Sequence, residues 1–252
     1  MSELIVVILA GGLGKRMNSE VPKVLHLIGN EPMLVKIIKE SQKMNPKKIL
    51  IVVGKYYEII KCTLEKYISL DKINFIFQET PLGTGDALKC CIPNLLEFTD
   101  TNTKILVLSG DVPLLKKDTM KEIIDATVNN LCITVTSIKN PSGYGRIIKD
   151  EKVNNFIAII EEKDCTEIQK CISLVNCGIY VFSVFSLLYY LPKIKNKNSQ
   201  NEYYLTDIVG LLVKDGYKVD IVEIPQNKQN EILGVNTAEQ LNELNNIYIQ
   251  NR

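Results

Sequence analysis

Leu9 to His26, LAGGLGKRMNSEVPKVLH, gathers residue types that handle phosphate. Gly11, Gly12 and Gly14 let the backbone turn tightly and approach an anion closely. Arg16 offers a planar, multi-donor cation, and Lys23, seven residues on, a compact one. Pro22 stiffens the chain just before Lys23. Two cations after a glycine loop can neutralise charge on a phosphoryl group in transfer. The same composition would also serve a solvated basic turn. The loop is neither G-x-G-x-x-G nor G-x-x-x-x-G-K-S/T, so the dinucleotide-fold and P-loop readings lose support. Further along, Gly110-Asp111 follows an apolar run, at the carboxyl end of a strand, where ligands bind in open α/β sheets. Asp111 carries a hard oxygen suited to Mg²⁺, with a turn aspartate as the plain alternative. Asn236 precedes the last helix and would serve it as an N-cap, a task that Thr237 could take instead.

These groups need a scaffold. Leu4 to Leu9 is continuously apolar, as a buried parallel strand is. Helical faces over Met33–Met44, Tyr56–Tyr67, Gly83–Phe98 and Lys117–Asn129 alternate with strands at Lys48–Val53, Ile73–Phe77, Lys104–Ser109 and Leu131–Ile138. Pro93 must kink or divide the third of these helices. The alternation predicts a doubly wound parallel α/β sheet. After Asn140 the pattern changes. Strands are expected at Arg146–Lys149 and Val153–Ile160 around a polar turn at Lys149–Lys152, then at Ser173–Phe182 and Lys218–Ile224. Helices are expected at Val184–Leu191, Tyr203–Val213 and Thr237–Ile249, and Lys193–Gln200 reads as an exposed, mobile loop. No internal repeat is evident. The expected organisation is one domain over 1–252 on a continuous sheet: a nucleotide-binding half to about 140, a second half over about 141–230, and a closing segment over 231–252.

Composition bounds the chemistry. A net charge of +1 gives no reason to expect nucleic acid or a membrane surface as partner, so phosphate must be bound by a few placed cations. The single histidine, His26, excludes His-based triads and multi-His zinc sites. Seven cysteines without a C-x-x-C or a signal peptide read as reduced thiols, mostly core filler, in a cytoplasmic setting. Only three of the 30 basic residues are arginine, so an Arg kept in the glycine loop hints that a planar cation is needed there.

The loop resembles the signature of the sugar-phosphate nucleotidyltransferases. Within them it is similar to the N-terminal uridyltransferase domain of bifunctional N-acetylglucosamine-1-phosphate uridyltransferase/glucosamine-1-phosphate acetyltransferases. The Arg16-to-Lys23 spacing and the histidine after PKVL fit this branch, whereas the thymidylyl- and adenylyltransferase branches have a longer gap before the lysine. Further strings follow in the family's order: Gln78 with LGTGDA, SGDVPLL, GYGRI, EEKD, NCGIYVF, NEYYLTDIV and GVNTAEQL. The resemblance implies a Rossmann-like doubly wound mixed sheet of the glycosyltransferase A-like type. It implies the nucleotide at Leu9, Ala10, Gly11, Gly12, Gln78, Gly83 and Thr84, with the Gln78 amide, donor and acceptor both, on a uracil edge. It implies an N-acetylated hexose at Gly145, Glu161, Asn176, Glu202, Tyr204 and Thr206, and Mg²⁺ on Asp111 and Asn236.

The implied reaction joins UTP and N-acetyl-α-D-glucosamine 1-phosphate into UDP-N-acetylglucosamine and pyrophosphate, with Arg16 and Lys23 catalytic. No protein nucleophile is needed, because the sugar phosphate is one. The alternatives are another sugar- or polyol-phosphate nucleotidyltransferase, against which GTGDA, GYGRI and NEYYLTD argue, and an inactive nucleotide-sugar binding protein, against which the intact Arg16, Lys23, Asp111 and Asn236 argue. The hexapeptide-repeat β-helix of the bifunctional enzymes, its acetyl transfer and its trimer are not expected. Three positions depart from the family pattern: Lys15 for threonine, Asp86 for the histidine of GTGHA, and Ser109 for a tyrosine or similar before Gly110-Asp111.

Overall fold

The structure, a computed structural model, describes residues 3–17, 19–98, 100, 102–149 and 156–250. Eleven strands occur among these residues: β1 (Leu4–Leu9), β2 (Leu27–Ile28), β3 (Glu31–Pro32), β4 (Lys48–Val53), β5 (Ile73–Phe77), β6 (Lys104–Ser109), β7 (Leu131–Ser137), β8 (Arg146–Lys149), β9 (Phe156–Ile160), β10 (Leu174–Ser183) and β11 (Asp220–Glu223). The main sheet runs β11-β7-β10-β6-β1-β4-β5, with β8 paired to β10 and β9 to β8. Strands β4, β1 and β6 pair in parallel, as do β4 with β5 and β7 with β11, whereas β10 is antiparallel to both β6 and β7. The sheet is therefore mixed, as expected. Its one reversed central strand, β10, comes from the second half and is inserted between β6 and β7 of the first.

β1 forms because an unbroken apolar, β-branched hexapeptide can be covered on both faces. Ile5 and Val7 pack into one core, and Val6 and Ile8 into the other. Helix α1 (Met33–Gln42) covers the Val6 side with Leu34, Val35, Ile37 and Ile38. On the opposite face lie α3 (Thr84–Lys89), α7 (Val184–Tyr190) and α8 (Asp207–Lys214), through Ala87, Leu88, Val184, Leu187, Ile208, Val209 and Leu212. Each such fully buried aliphatic side chain contributes about 1.5–3 kcal/mol. The remaining helices are α2 (Tyr57–Leu64), α4 (Ile92–Leu95), α5 (Lys117–Ala126), α6 (Glu167–Lys170) and α9 (Ala238–Gln250). A third, smaller core of Met17, Ile28, Met33, Val235 and Leu244 fastens α9 under the glycine loop. The Asn245 side chain completes that attachment, accepting from the Gly29 N–H at 2.7 Å and donating to the Leu27 carbonyl at 3.1 Å.

The helix expected over Gly83–Phe98 is divided, as Pro93 required; the break falls at Cys90–Cys91, and Pro93 sits in the first turn of α4, where its missing N–H costs nothing. Three expectations need correction. Tyr203–Thr206 is not helical, and α8 begins at Asp207. The Tyr203 N–H and carbonyl are committed across the cleft, to the Leu82 carbonyl at 2.7 Å and from the Gly85 N–H at 2.8 Å. Lys193–Gln200 is not a loose loop. Ile194 is buried, the Asn198 side chain donates to the Glu202 carbonyl at 2.5 Å, and the Ser199 N–H donates to Asp164 at 2.9 Å. The turn expected at Lys149–Lys152 and the first residues of the strand expected from Val153 fall at 150–155, outside the described residues. Of the cysteines, Cys91, Cys132 and Cys177 are buried, but Cys62 and Cys171 are exposed, so core filling accounts for fewer than half. No described helix is long and apolar enough to cross a membrane.

Candidate active site

Strands β1, β4, β5 and β6 end at one edge of the sheet, with Leu9 level with Val52 and Ser109, and Val53 level with Phe77. The glycine loop, Gln78 and Gly110-Asp111 therefore emerge side by side. The Gly110 N–H donates to the Leu9 carbonyl at 2.9 Å, joining two of these loops. Gly14 has φ +60, and a β-carbon there would lie 2.8 Å from the Lys23 β-carbon, so the loop closes onto Lys23 only with glycine at this position. Gly83, at φ +113, allows the equally close approach of the Tyr203 backbone.

The closing segment is drawn in by backbone. The Val235 N–H donates to the Asp111 carbonyl at 3.0 Å, which places Asn236 beside Asp111 across 125 residues of chain. Thr237 caps α9, accepting from the Gln240 N–H at 3.3 Å, while the Gln240 side chain accepts from the Asn236 N–H at 2.7 Å. The Asn236 side chain is thereby free of capping. Its Oδ1 accepts from Lys23 Nζ at 3.2 Å and from Arg16 Nη2 at 3.1 Å. Lys23 Nζ also forms an ion pair with Asp111 Oδ2. The second oxygen, Oδ1, accepts from the Ser109 hydroxyl at 2.7 Å. Ser109 thus orients Asp111, a role the sequence did not disclose.

Two adjoining clefts meet at Leu9, Thr84, Ser109 and Asp111. One, of about 640 Å³, is lined by Ala10, Gly11, Gly12, Lys23, Gln78 and Gly83, with Lys163, Gln200 and Glu202 on its far side. The other, of about 270 Å³, is lined by Arg16, Tyr144, Gly145, Glu161, Asn176, Thr206 and Asn236. The residues expected at the nucleotide thus gather in the first cleft. Most of those expected at the sugar gather in the second. Glu202 lines the first cleft rather than the second, and Tyr204 lines neither: it is buried, and its hydroxyl accepts from the Gln200 amide at 2.8 Å. A further cleft of about 640 Å³, between α1 and α9, shares none of these residues, and its Lys36 and Lys39 are paired with Glu31 and its Lys43 with Glu40.

In the second cleft Glu161 accepts from the Thr206 hydroxyl at 2.9 Å. Burial pushes the Glu161 carboxyl up from its ordinary value, and the Thr206 hydrogen bond partly offsets this. Both ends of the Asn176 amide are engaged, Nδ2 on the Tyr180 hydroxyl at 2.6 Å and Oδ1 on the Gly178 N–H at 3.1 Å. A β-carbon on Gly145 would meet Ile159 at 2.9 Å, so that wall accepts no side chain there. Tyr144, with its hydroxyl raised by burial, joins the lining, and only its place within GYGRI could have signalled it.

The oxygens of Asp111 and Asn236 already converge on one cation, the Lys23 ammonium. Both are hard donors of the kind Mg²⁺ takes. Among the described residues no three His, Cys, Asp or Glu side chains gather as a metal site, so a metal here would rest on this pair and on substrate oxygens. The Lys15 side chain lies outside what the structure describes.

Residues 5–227 match the family model described as nucleotidyl transferase, and the chain belongs to that family. It is 46% identical over 95% of its length to a protein of Acanthamoeba polyphaga mimivirus named "Probable UDP-N-acetylglucosamine pyrophosphorylase", of which it covers 94%. It is 38% identical over 98% of its length to the "Bifunctional protein GlmU" of Cupriavidus metallidurans, and spans only 52% of that protein. Among solved structures, UDP-glucose pyrophosphorylase complexed with UDP-glucose superimposes with a TM-score of 0.72 over the whole of both chains, at 15% identity, a likeness of fold.

Proposed function

We propose that this chain transfers the uridylyl group of UTP to N-acetyl-α-D-glucosamine 1-phosphate, releasing pyrophosphate, and that it does so as one domain over 1–252. The observation that carries the reading is the meeting of Lys23, Arg16, Asp111 and Asn236 where the two clefts join. The mimivirus relative, named for the same product, supports it. UTP occupies the larger cleft, along Leu9, Ala10, Gly11, Gly12, Gln78, Gly83 and Thr84. The sugar occupies the smaller one, along Gly145, Glu161, Asn176 and Thr206, with Tyr204 supporting from behind and Glu202 bordering the nucleotide. A phosphate oxygen of the sugar phosphate attacks the α-phosphorus in line. A new P–O bond forms as the bond to the bridging oxygen of pyrophosphate breaks, and the electron pair leaves with pyrophosphate. The protein supplies position and charge. Lys23 stabilises the attacked phosphate and Arg16 the departing pyrophosphate. Mg²⁺ held by Asp111 and Asn236 would supply further neutralisation of phosphate oxygens. The setting is cytoplasmic and the substrates are small molecules, with neither nucleic acid nor a membrane involved.

Pyrophosphate release with UTP, CTP and TTP against N-acetylglucosamine, glucose and polyol phosphates tests this. The expected result is release with UTP and N-acetylglucosamine 1-phosphate, abolished by EDTA and restored by Mg²⁺. Release only with CTP and a polyol phosphate, or none at all, would sink the reading.

The Glu161–Thr206 pair gives a pH signature. Ionised Glu161 accepts sugar hydroxyls, and protonation removes that acceptor, so sugar-phosphate affinity falls as pH drops through the raised Glu161 pKa. Thr206→Val deletes the hydrogen bond that holds the pKa down. It is expected to raise the sugar-phosphate KM about tenfold and to move the acid limb of kcat/KM to higher pH. An unmoved acid limb would dissociate Glu161 from sugar binding.

A further inference from the structure

We infer that Asp86 makes Gln78 a one-way acceptor and so sets the choice of uracil over cytosine. The inference rests on the uridylyl reading above and deepens it. Gln78 is only 5% exposed. Its Nε2 donates to Asp86 Oδ2 at 2.7 Å and to the Gly83 carbonyl at 3.3 Å. A primary amide nitrogen has two hydrogens, and both are used. The reversed amide would set Oε1 against a carboxylate and a carbonyl, two groups that can only accept, so the orientation is fixed by chemistry.

What remains for a ligand is Oε1. It lies toward the glycine loop, 3.2 Å from where a β-carbon on Gly11 would stand, and among the described residues no donor reaches it. An acceptor fixed at that point suits a base edge that donates. Uracil presents N3–H there, whereas N3 of cytosine is a lone pair and would meet Oε1 in repulsion. An unconstrained glutamine could turn its amide to suit either base. Asp86, the residue at which this chain departs from GTGHA, removes that freedom. It acts through Gln78 and needs no contact with the nucleotide.

The test is the ratio of kcat/KM for UTP to that for CTP, together with calorimetric binding of UDP and CDP, which needs no turnover. Asp86→Asn keeps the shape but can donate as well as accept, so only the longer contact to the Gly83 carbonyl still holds the Gln78 amide and the reversed orientation becomes accessible. The ratio and the binding preference are each expected to fall at least about tenfold. A ratio within twofold of the wild type, or an equal loss on both nucleotides, overturns the inference, because a merely structural role lowers both alike. Wild-type protein that binds UDP and CDP equally overturns the uridylyl reading itself and the inference with it. Should Asp86→Asn fail to fold, Asp86→Ser, which also ends the obligatory acceptor, is measured by the same ratio with the same expected fall.

Discussion

Lys23→Ala is expected to lower kcat about 10²–10³-fold, the loss typical of one preorganised charge at a developing anion. Lys23 stands where the two clefts meet and is held from both sides. Asp111 and Asn236 grip its ammonium, and its β-carbon is wedged against Gly14. That clamp holds the charge at the site before substrate arrives, and a metal taking the same two oxygens would release the ammonium to the phosphate. Lys23→Arg should not rescue activity, because the guanidinium is longer and planar and the Gly14 contact leaves the stem no room to retreat. Asp111→Ala should lose turnover by a similar factor through a different route, since it removes the oxygen that Ser109 orients. The two are separable by Mn²⁺ titration followed by electron paramagnetic resonance: Asp111→Ala should weaken metal binding, while Lys23→Ala should not. Initial rates of pyrophosphate release are the main readout, with a cooperative melt as the check on folding. Near-normal turnover in either folded variant would remove these residues from the mechanism.

The sequence announced the parts of this site that are local and hid those made by long-range contact. β1, β4, β5 and β6 match their expected bounds residue for residue: β1, β4 and β6 are largely apolar runs covered on both faces, and β5, at the end of the sheet, still carries the Ile and Phe that favour a strand. Gly14 and Lys23 were visible as types and spacing. The task of Asn236 was legible only through the resemblance, because asparagine before a helix is by itself an ordinary cap, and the hydrogen bond from Gln240 to Thr237 shows that the cap is taken by another residue. Tyr203–Thr206 carries a helical apolar pattern yet is not helical, since the Tyr203 backbone groups bind Leu82 and Gly85, more than a hundred residues earlier. Asp86 and Ser109 showed in the sequence only as departures from the family pattern. Each proves to hold the side chain that matters beside it, Gln78 in one case and Asp111 in the other. Such pairings depend on where loops meet in space, and no local periodicity encodes them.

The same logic makes Arg146 the residue whose loss should cost the fold most. Its side chain is 1% exposed, yet it carries a charge. Nη1 donates to the Tyr144 carbonyl, Nη2 donates to the Lys170 carbonyl at 3.3 Å, and Nη2 lies 2.6 Å from Glu162 Oε2. That last contact is not aligned as a hydrogen bond, so its attraction is Coulombic. Arg146→Met keeps the apolar stem but strands two carbonyls and a partly buried carboxylate. Because Glu162 retains some solvent, the expected loss is about 3 kcal/mol rather than the upper figure for a sealed pair. For a chain of this size that is a fall in Tm of about 6–12 °C. Arg146→Lys should recover only part of it, because an ammonium cannot span the three acceptors. The site should register the change unevenly. Arg146 follows Gly145 and Glu162 follows Glu161, and β8 pairs Arg146 with Ile160. Loosening the ion pair therefore moves the wall of the smaller cleft and leaves Gln78, Gly83 and the glycine loop in place. At a temperature where the variant is folded, the sugar-phosphate KM should rise several-fold more than the UTP KM. Equal rises, or a melt coincident with the wild type, would mean that Arg146 neither braces that wall nor holds the fold.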